Sequence, residues 1–286
     1  MNKKLWGKAA LAAAAVAGVM LFAGCGGSGE KKDSGAAAQQ SKVMQKIKES
    51  GKIVVGTASG YPPYEFIDAS KSEKTVIGID MELAKALADK LGVKLEIQDM
   101  NFQSLLSSLA SGKVDIAISG INPTDERRKT MDFSDVYLPT EQMILIRKAD
   151  ADKYKSLEDF YGKNIAVQKS TTQEILANAE IKDAKIVGLA HVPEAVLELK
   201  HGKADGVVVE GICGKQYLVY NDDLMFAEGV HFKNGTKNSA AALQKGSEDL
   251  LKAINEVIKE NTDNGNFKKW EEEYIQKSVD NAKMQG

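Results

Sequence analysis

One loop of the sequence carries a residue that could hold a carboxylate. Residues 119–127 (Ser-Gly-Ile-Asn-Pro-Thr-Asp-Glu-Arg) follow the apolar run Val114–Ile118, and either Asn122 or Thr124 can cap a short helix there. Arg127 lies one turn further on, and its guanidinium offers a planar pair of donors that matches a carboxylate. Because other charged residues flank it, Arg127 is equally well explained as one more charge on a solvated face.

Two other predicted strand ends carry groups that would complement such a site. Thr171, followed three residues later by Glu174, fits a capping box, and the unpaired N–H groups of a helix start can bind an anion. An ordinary capped helix explains the same pattern. Glu210 ends the apolar run Val207–Val209, where open α/β sheets place ligand-binding groups. A carboxylate at this position could pair with the ammonium group of a ligand. An acid that caps the following helix explains Glu210 equally well.

The sequence lacks the motifs of common enzyme and metal sites. It has no G-x-S-x-G, G-x-x-x-x-G-K-[ST], H-E-x-x-H or C-x-x-C pattern. Its three histidines, at positions 191, 201 and 231, lie in unrelated contexts, and Cys213 has no companion thiol nearby. We therefore expect no catalytic residue, no metal and no cofactor.

Strand and helix patterns alternate from Lys42 onward, which indicates an α/β architecture with largely parallel sheets. Short apolar runs predict buried strands at 53–55, 114–118 and 143–146. Leu83, Leu87 and Leu91 recur at i, i+4 and i+8, which predicts an amphipathic helix that ends at Gly92. The alternation restarts with a helix predicted at 156–160, which predicts two lobes.

Composition and the N-terminus indicate a folded, exported chain. The 286 residues are 43% hydrophobic and carry 38 basic against 40 acidic side chains, which excludes a disordered chain and gives no reason to expect nucleic-acid binding. Residues 1–24 combine three lysines with the apolar run Ala9–Ala23, as in a secretory signal peptide. A transmembrane anchor is the alternative, but the run is shorter than the ~20 residues that span a bilayer.

Residues 21–25 (Leu-Phe-Ala-Gly-Cys) resemble the lipobox of bacterial lipoproteins. That resemblance implies cleavage before Cys25 and attachment of lipid, such as palmitate, to this cysteine. Residues 25–42 would then form the lipidated end and a flexible tether, rich in Gly, Ser and Ala. We expect an extracytoplasmic protein, anchored to the membrane through Cys25.

Several ordered motifs together resemble the extracytoplasmic amino-acid-binding proteins of ABC importers, the polar amino-acid family of bilobal solute-binding proteins. The motifs include YPPYEF (61–66), GIDMELA (78–84), DIAISGINPTDERRKTMDFSD (115–135), VQ with TTQE (167–174) and ADGVVVE (204–210).

The resemblance implies an α/β, two-lobed periplasmic-binding-protein-like (type II) fold. Each lobe would be a mostly parallel sheet flanked by helices, and two crossovers, near 137–142 and 232–238, would join the lobes. Lobe 1 would be discontinuous, comprising residues 43–138 and 236–286, and lobe 2 would comprise residues 139–235.

The resemblance also assigns roles at matching positions. Arg127 would bind the α-carboxylate of the ligand with help from Thr172 of the other lobe, and Glu210 would pair with the α-ammonium. The remaining predicted ligand-binding residues would contact the ligand's backbone or side chain: Tyr61, Phe102, Ser119, Gly120, Asn122, Gln168 and Thr171. Asn122 departs from the Ser or Thr usual in the family, and Ser170 stands where glycine is common.

The side chain of the ligand is predicted to be polar and neutral. The position that carries an acid for basic ligands corresponds to Ala58, so a buried cationic side chain would lack a partner there. Glu65 or the segment 69–75 could reverse this prediction.

The predicted function is binding of a free L-amino acid and its delivery to an ABC-type permease, by a monomer without enzymatic activity. One alternative is an enzyme on the same fold, such as a cyclohexadienyl-dehydratase-like protein with Glu210 as its general acid. Another is a ligand-sensing receptor module.

Overall fold

The structure, a computed structural model, describes residues 40–285. The predicted signal peptide and Cys25 lie outside these residues. The described part of the chain forms twelve strands: β1 (Lys52–Thr57), β2 (Phe66–Ile67), β3 (Val76–Ile77), β4 (Lys94–Asp99), β5 (Ile116–Ile121), β6 (Met131–Phe133), β7 (Leu138–Arg147), β8 (Asn164–Gln168), β9 (Lys185–Leu189), β10 (Gly206–Glu210), β11 (Leu224–Phe226) and β12 (Thr236–Gln244).

The described residues also form nine α-helices, which pack on the strands. They are α1 (Lys42–Ser50), α2 (Ile79–Leu91), α3 (Phe102–Ala110), α4 (Asp125–Arg128), α5 (Thr172–Glu180), α6 (Val192–Lys200), α7 (Gly211–Val219), α8 (Glu248–Asp263) and α9 (Asn266–Gln285). No helix within residues 40–285 is both long and apolar enough to cross a membrane.

The first half of the main sheet has the strand order β4-β1-β5-β12, with β6 pairing to β12. β1 pairs in parallel with β4 and β5, while β12 returns antiparallel to β5. α2 covers this half because Leu83 and Leu87 fall on one face and are fully buried. Gly92, in a left-handed conformation at φ 66°, ends the helix as its sequence position predicts.

The second half has the order β7-β10-β8-β9, with β11 on β7. β8 pairs in parallel with both β9 and β10, whereas β10 is antiparallel to β7. Each half is therefore a mostly parallel sheet with one antiparallel strand, which is β12 in the first half and β7 in the second. Each of these two strands extends from one half into the other.

β7 and β12 join the two halves. Residues 138–141 of β7 pair with residues 236–239 of β12, antiparallel. These two extended segments carry the chain between the halves and pass beside each other, as the two predicted crossovers would.

Two local predictions needed correction. The helix expected at 156–160 is a single 3₁₀ turn, Leu157–Phe160. The strand expected at 114–118 is β5, displaced toward the C-terminus, because the Asp115 carboxylate accepts the Val54 N–H at 2.8 Å before regular pairing begins. Ser119 and Gly120 consequently lie within a buried strand and not in the loop after it.

Candidate functional site

A small cavity lies between the ends of the strands in the two sheet halves. Its walls are polar, with two cationic side chains and one carboxyl group. The lining residues are Ala58, Tyr61, Glu65, Phe102, Ser119, Gly120, Asn122, Arg127, Gln168, Thr171, Thr172, Gln173 and Lys237.

The structure brings nine of the ten sequence-predicted ligand-binding residues together in this cavity. They are Tyr61, Phe102, Ser119, Gly120, Asn122, Arg127, Gln168, Thr171 and Thr172. The tenth, Glu210, lies outside its lining.

Arg127 bridges the two sides of the cavity. Thr124 caps α4, which fixes the backbone from which the Arg127 side chain extends. The guanidinium donates through Nη1 to the carbonyl of Asn122 at 2.8 Å and through Nη2 to the carbonyl of Ser170 at 2.9 Å. It also lies 5.3 Å from the centre of the Phe102 ring. Burial lowers the pKa of Arg127 to about 10, so the group remains a cation at neutral pH.

The start of α5 forms the opposite wall. The Thr171 hydroxyl donates to the carbonyl of Gln168 at 2.6 Å and accepts the Glu174 N–H at 3.3 Å, so Thr171 is the N-cap that the sequence predicts. Glu174 accepts the N–H of Ser170, one residue earlier than a capping box requires. Ser170 has φ 65°, a conformation that glycine adopts more easily, which fits its place at a position where glycine is common.

Tyr61 and Gln173 connect the two walls. Gln173 Nε2 donates to the Tyr61 hydroxyl at 3.1 Å, and Tyr61 packs against Tyr64 with ring centres 5.5 Å apart. Burial, followed by the charge of Glu210, raises the pKa of Tyr61 well above its usual value, so its hydroxyl keeps its proton.

Glu210 caps α7. Its carboxylate accepts the N–H groups of Cys213 at 2.6 Å and Ile212 at 3.3 Å, and the Tyr64 hydroxyl lies 3.5 Å away. The two hydrogen bonds from the N–H groups make Glu210 a helix cap, which is one of the two roles that the sequence left open. The pairing of Glu210 with a ligand ammonium stays a prediction.

Asp80 positions the strand that carries Ser119 and Gly120. From the first turn of α2, its carboxylate accepts the Gly120 N–H at 2.7 Å and the Tyr137 hydroxyl proton at 2.9 Å. Gly120 can follow this path because it has φ 50°. Asp80 is fully buried, which raises its pKa to about 6.

Glu65 and Lys237 are the charged lining residues that sequence reasoning did not assign. The Ser119 hydroxyl donates to Glu65 Oε1 at 2.7 Å, while Oε2 has no hydrogen-bond partner among the described residues. Burial, with a contribution from Asp80, raises the pKa of Glu65 well above its usual range. Lys237 is 2% exposed. The only feature of the sequence that could have indicated the position of Lys237 is the alternation of side chains along β12. It puts Lys237 on the same face of the strand as Ser239 and Ala241.

Within residues 40–285, no group of three or more His, Cys, Asp and Glu side chains is arranged to hold a metal ion. Cys213 is buried, and burial raises the pKa of its thiol well above the usual value.

Comparison with known proteins matches residues 53–277 to the bacterial extracellular solute-binding proteins, family 3. The chain is 36% identical over 231 residues to the arginine-binding extracellular protein ArtP of Bacillus subtilis, covering 79% of this chain and 88% of that protein.

Two solved structures have the same fold. One is the amino acid ABC transporter substrate-binding protein AbpA of Streptococcus pneumoniae bound to L-arginine, with TM-score 0.79, 33% identity and coverage of 82% of this chain and 99% of that one. The other is the ancestral amino-acid-binding protein AncCDT-1, a precursor of cyclohexadienyl dehydratase, with TM-score 0.73, 34% identity and coverage of 81% and 99%. These likenesses confirm the predicted two-lobed type II fold.

Proposed function

Because the chain belongs to the bacterial extracellular solute-binding proteins of family 3, we propose that its cavity binds one free L-amino acid for delivery to an ABC-type permease. The observation that carries this proposal is the position of Arg127. Its guanidinium lies in the cavity wall and reaches the start of α5 through the Ser170 carbonyl. A cation and a helix N-terminus that face each other suit a carboxylate.

The mechanism we propose is closure of the two lobes around the ligand. Arg127 would bind the α-carboxylate from one side of the cavity, and the backbone N–H and hydroxyl of Thr172 would bind it from the other. The α-ammonium would pair with the carboxylate of Glu210 as the lobes close. Because only the closed form offers all of these contacts, binding energy shifts the population toward it.

We propose that the ligand side chain is polar and neutral. Ala58 brings no acid to the cavity wall. Glu65 does lie in the wall, but burial raises its pKa well above the usual range, so ionising it to pair with a basic side chain has a free-energy cost.

The surroundings of the protein follow from the same proposal. The body would act outside the cytoplasm as a monomer, held near the permease by lipid on Cys25. Lobe 1 would comprise residues 43–138 and 236–286, and lobe 2 residues 139–235, with the hinge in the paired segments of β7 and β12.

An enzyme on this fold is the second candidate, favoured by the likeness to a precursor of cyclohexadienyl dehydratase. We propose that the chain is not an enzyme, since both oxygens of the Glu210 carboxylate accept backbone N–H groups of α7, which suits an acceptor and not a general acid that donates a proton. Incubation with prephenate and arogenate tests this, and turnover of either one would make the enzyme the correct assignment.

The test of amino-acid binding compares two neighbouring arginines. A thermal-shift screen of the twenty amino acids identifies the ligand, because a ligand at 100 times its Kd adds about 2.7 kcal/mol of stability. Titration calorimetry then compares Arg127→Ala with Arg128→Ala, since Arg128 is exposed and lines no part of the cavity. We expect Arg127→Ala to lower affinity by more than about tenfold and Arg128→Ala to leave it within about twofold. Equal affinities in the two variants would show that Arg127 does not bind the carboxylate.

A further inference from the structure

Lys237 has an unusual environment for a lysine. It lies in the part of β12 that pairs with β7, and it is 2% exposed. Its Nζ reaches the cavity wall, 5.6 Å from the centre of the Tyr61 ring and 5.1 Å from that of Tyr64. A Cβ atom added to Gly120 would be 3.4 Å from Nζ, so the amine lies directly against the strand that carries Ser119 and Gly120.

The donors of Lys237 are largely unmatched. Among the described residues, its one hydrogen bond is from Nζ to Ser239 Oγ at 3.0 Å, and it forms no ion pair within 4.0 Å. An ammonium has three donors and no acceptor, so two N–H groups have no hydrogen-bond partner in residues 40–285. Leaving buried donors unmatched is costly, which indicates that an acceptor from outside the chain completes this environment.

The buried charges around the cavity are already in balance without a charged ligand side chain. Arg127 and Lys237 supply two cations, and the carboxylates of Asp80 and Glu210 supply two anions. Glu65 is a third carboxyl group near Lys237; burial, with a contribution from Asp80, raises its pKa well above the usual range, which favours its uncharged form. A zwitterionic amino acid with a neutral side chain preserves the balance, whereas a basic or acidic side chain would bury one uncompensated charge.

We propose that Lys237, together with Glu65, selects the ligand side chain, and that the group it selects is a neutral carboxamide, as in glutamine or asparagine. This inference rests on the proposed amino-acid binding and adds the identity of the side-chain class.

The hydrogen-bonding capacities of the candidate side chains decide between them. A carboxamide oxygen accepts from Lys237 Nζ, and its NH₂ group donates to the carboxyl group of Glu65, whose Oε2 has no partner among the described residues. A guanidinium or ammonium side chain has donors only, so it would leave Lys237 unmatched and add a third cation. A carboxylate side chain accepts but adds a buried negative charge. An aliphatic side chain offers neither a donor nor an acceptor.

The experiment measures affinity for four ligands by titration calorimetry at pH 7.5. The ligands are glutamine, asparagine, arginine and norleucine, the last being an uncharged apolar side chain of similar length. The proteins are the parent, Lys237→Met and Lys233→Met, in which an exposed lysine of the same region is changed in the same way. Circular dichroism verifies that each variant is folded.

In the parent, we expect glutamine or asparagine to bind at least about tenfold more tightly than arginine and norleucine, since a hydrogen bond to a charged group stabilises a complex more than one between neutral groups. Lys237→Met should lower carboxamide affinity by about tenfold or more and change norleucine affinity by less than about twofold, with Lys233→Met like the parent.

Tighter binding of arginine than of either carboxamide by the parent would overturn the inference, and this comparison needs no variant. Equal losses for carboxamide and norleucine in Lys237→Met would also overturn it, because they would show a structural role only. If none of the twenty amino acids binds to the parent, the proposed function itself fails, and that outcome is distinct from either of these.

Discussion

Glu65 and Asp80 are two buried carboxyl groups whose neighbours differ. Asp80 accepts two hydrogen bonds, from the Gly120 N–H and the Tyr137 hydroxyl, which favour its ionised form. Glu65 accepts one, from the Ser119 hydroxyl. Burial raises the pKa of both carboxyl groups. It does so more strongly for Glu65, which accepts fewer hydrogen bonds. These two buried acids, of which only Glu65 lines the cavity, thus differ in how readily they ionise.

The raised pKa of Asp80 predicts a pH dependence of stability. The pKa of Asp80 is about 6 in the folded protein and 3.8 ordinarily. The Asp80 carboxyl group therefore loses its proton at a lower pH in the unfolded chain than in the folded protein. The free energy of unfolding should therefore fall between about pH 4 and pH 6, by up to about 3 kcal/mol from this group, and Glu65 acts in the same direction. Urea unfolding at several pH values should show a shallower fall in Asp80→Asn than in the parent. Parallel curves for the two proteins would contradict the assignment.

At the scale of elements, the segment before α2 shapes one side of the cavity. The Ile79 and Asp80 N–H groups at the start of α2 donate to the carbonyls of Pro63 and Tyr64, each at 3.0 Å. These bonds satisfy donors that a helix start leaves free, and they fix the loop that carries Tyr61. The approach is close because Gly78 has no side chain and adopts φ 141°.

Gly78→Ala should disrupt this junction. A Cβ at Gly78 would be 2.0 Å from the Tyr64 carbonyl oxygen, whereas Gly92, also at positive φ, has nothing within 4 Å of a Cβ. We expect Gly78→Ala to cost about 3 kcal/mol or more and Gly92→Ala about 1 kcal/mol, as measured by urea unfolding. A similar cost for both would mean that the loop moves away from α2 without strain.

At the scale of the molecule, hydrogen bonds that lie outside the cavity also connect the two halves. The Tyr217 hydroxyl donates to the carbonyl of Gly60 at 2.7 Å, and the Ser278 hydroxyl in α9 donates to Gln216 in α7 at 2.6 Å. These residues do not line the cavity. If the lobes open as proposed, such bonds belong to the closed form and contribute to its population.

Tyr217→Phe tests whether closure contributes to affinity. The change removes the bond to Gly60 and leaves every cavity-lining residue in place, so we expect affinity for the ligand to fall by about two- to tenfold. Tyr220→Phe is the matched control, since Tyr220 is 40% exposed and its hydroxyl makes no hydrogen bond among residues 40–285. Calorimetry on both variants measures the effect. Unchanged affinity in Tyr217→Phe would show that this contact persists in the open form.

Most of the predicted cavity residues came from the family resemblance. The sequence by itself determined the α/β alternation and several of the helices and buried strands. It did so because these depend on local patterns, such as the spacing of Leu83 and Leu87 or the cap at Thr171. Arg127 could be assigned only by resemblance, since its neighbours in sequence are all consistent with a solvated face.

The tertiary structure alone decided which charged groups meet at the cavity. Lys237 is 110 residues from Arg127 along the chain, and only the pairing of β12 with β7 and β5 places both in one wall. It also decided that Glu210 caps α7, a choice that the residue type leaves open. The charge and hydrogen-bond balance of a buried site depends on contacts between distant segments, and no local pattern encodes those.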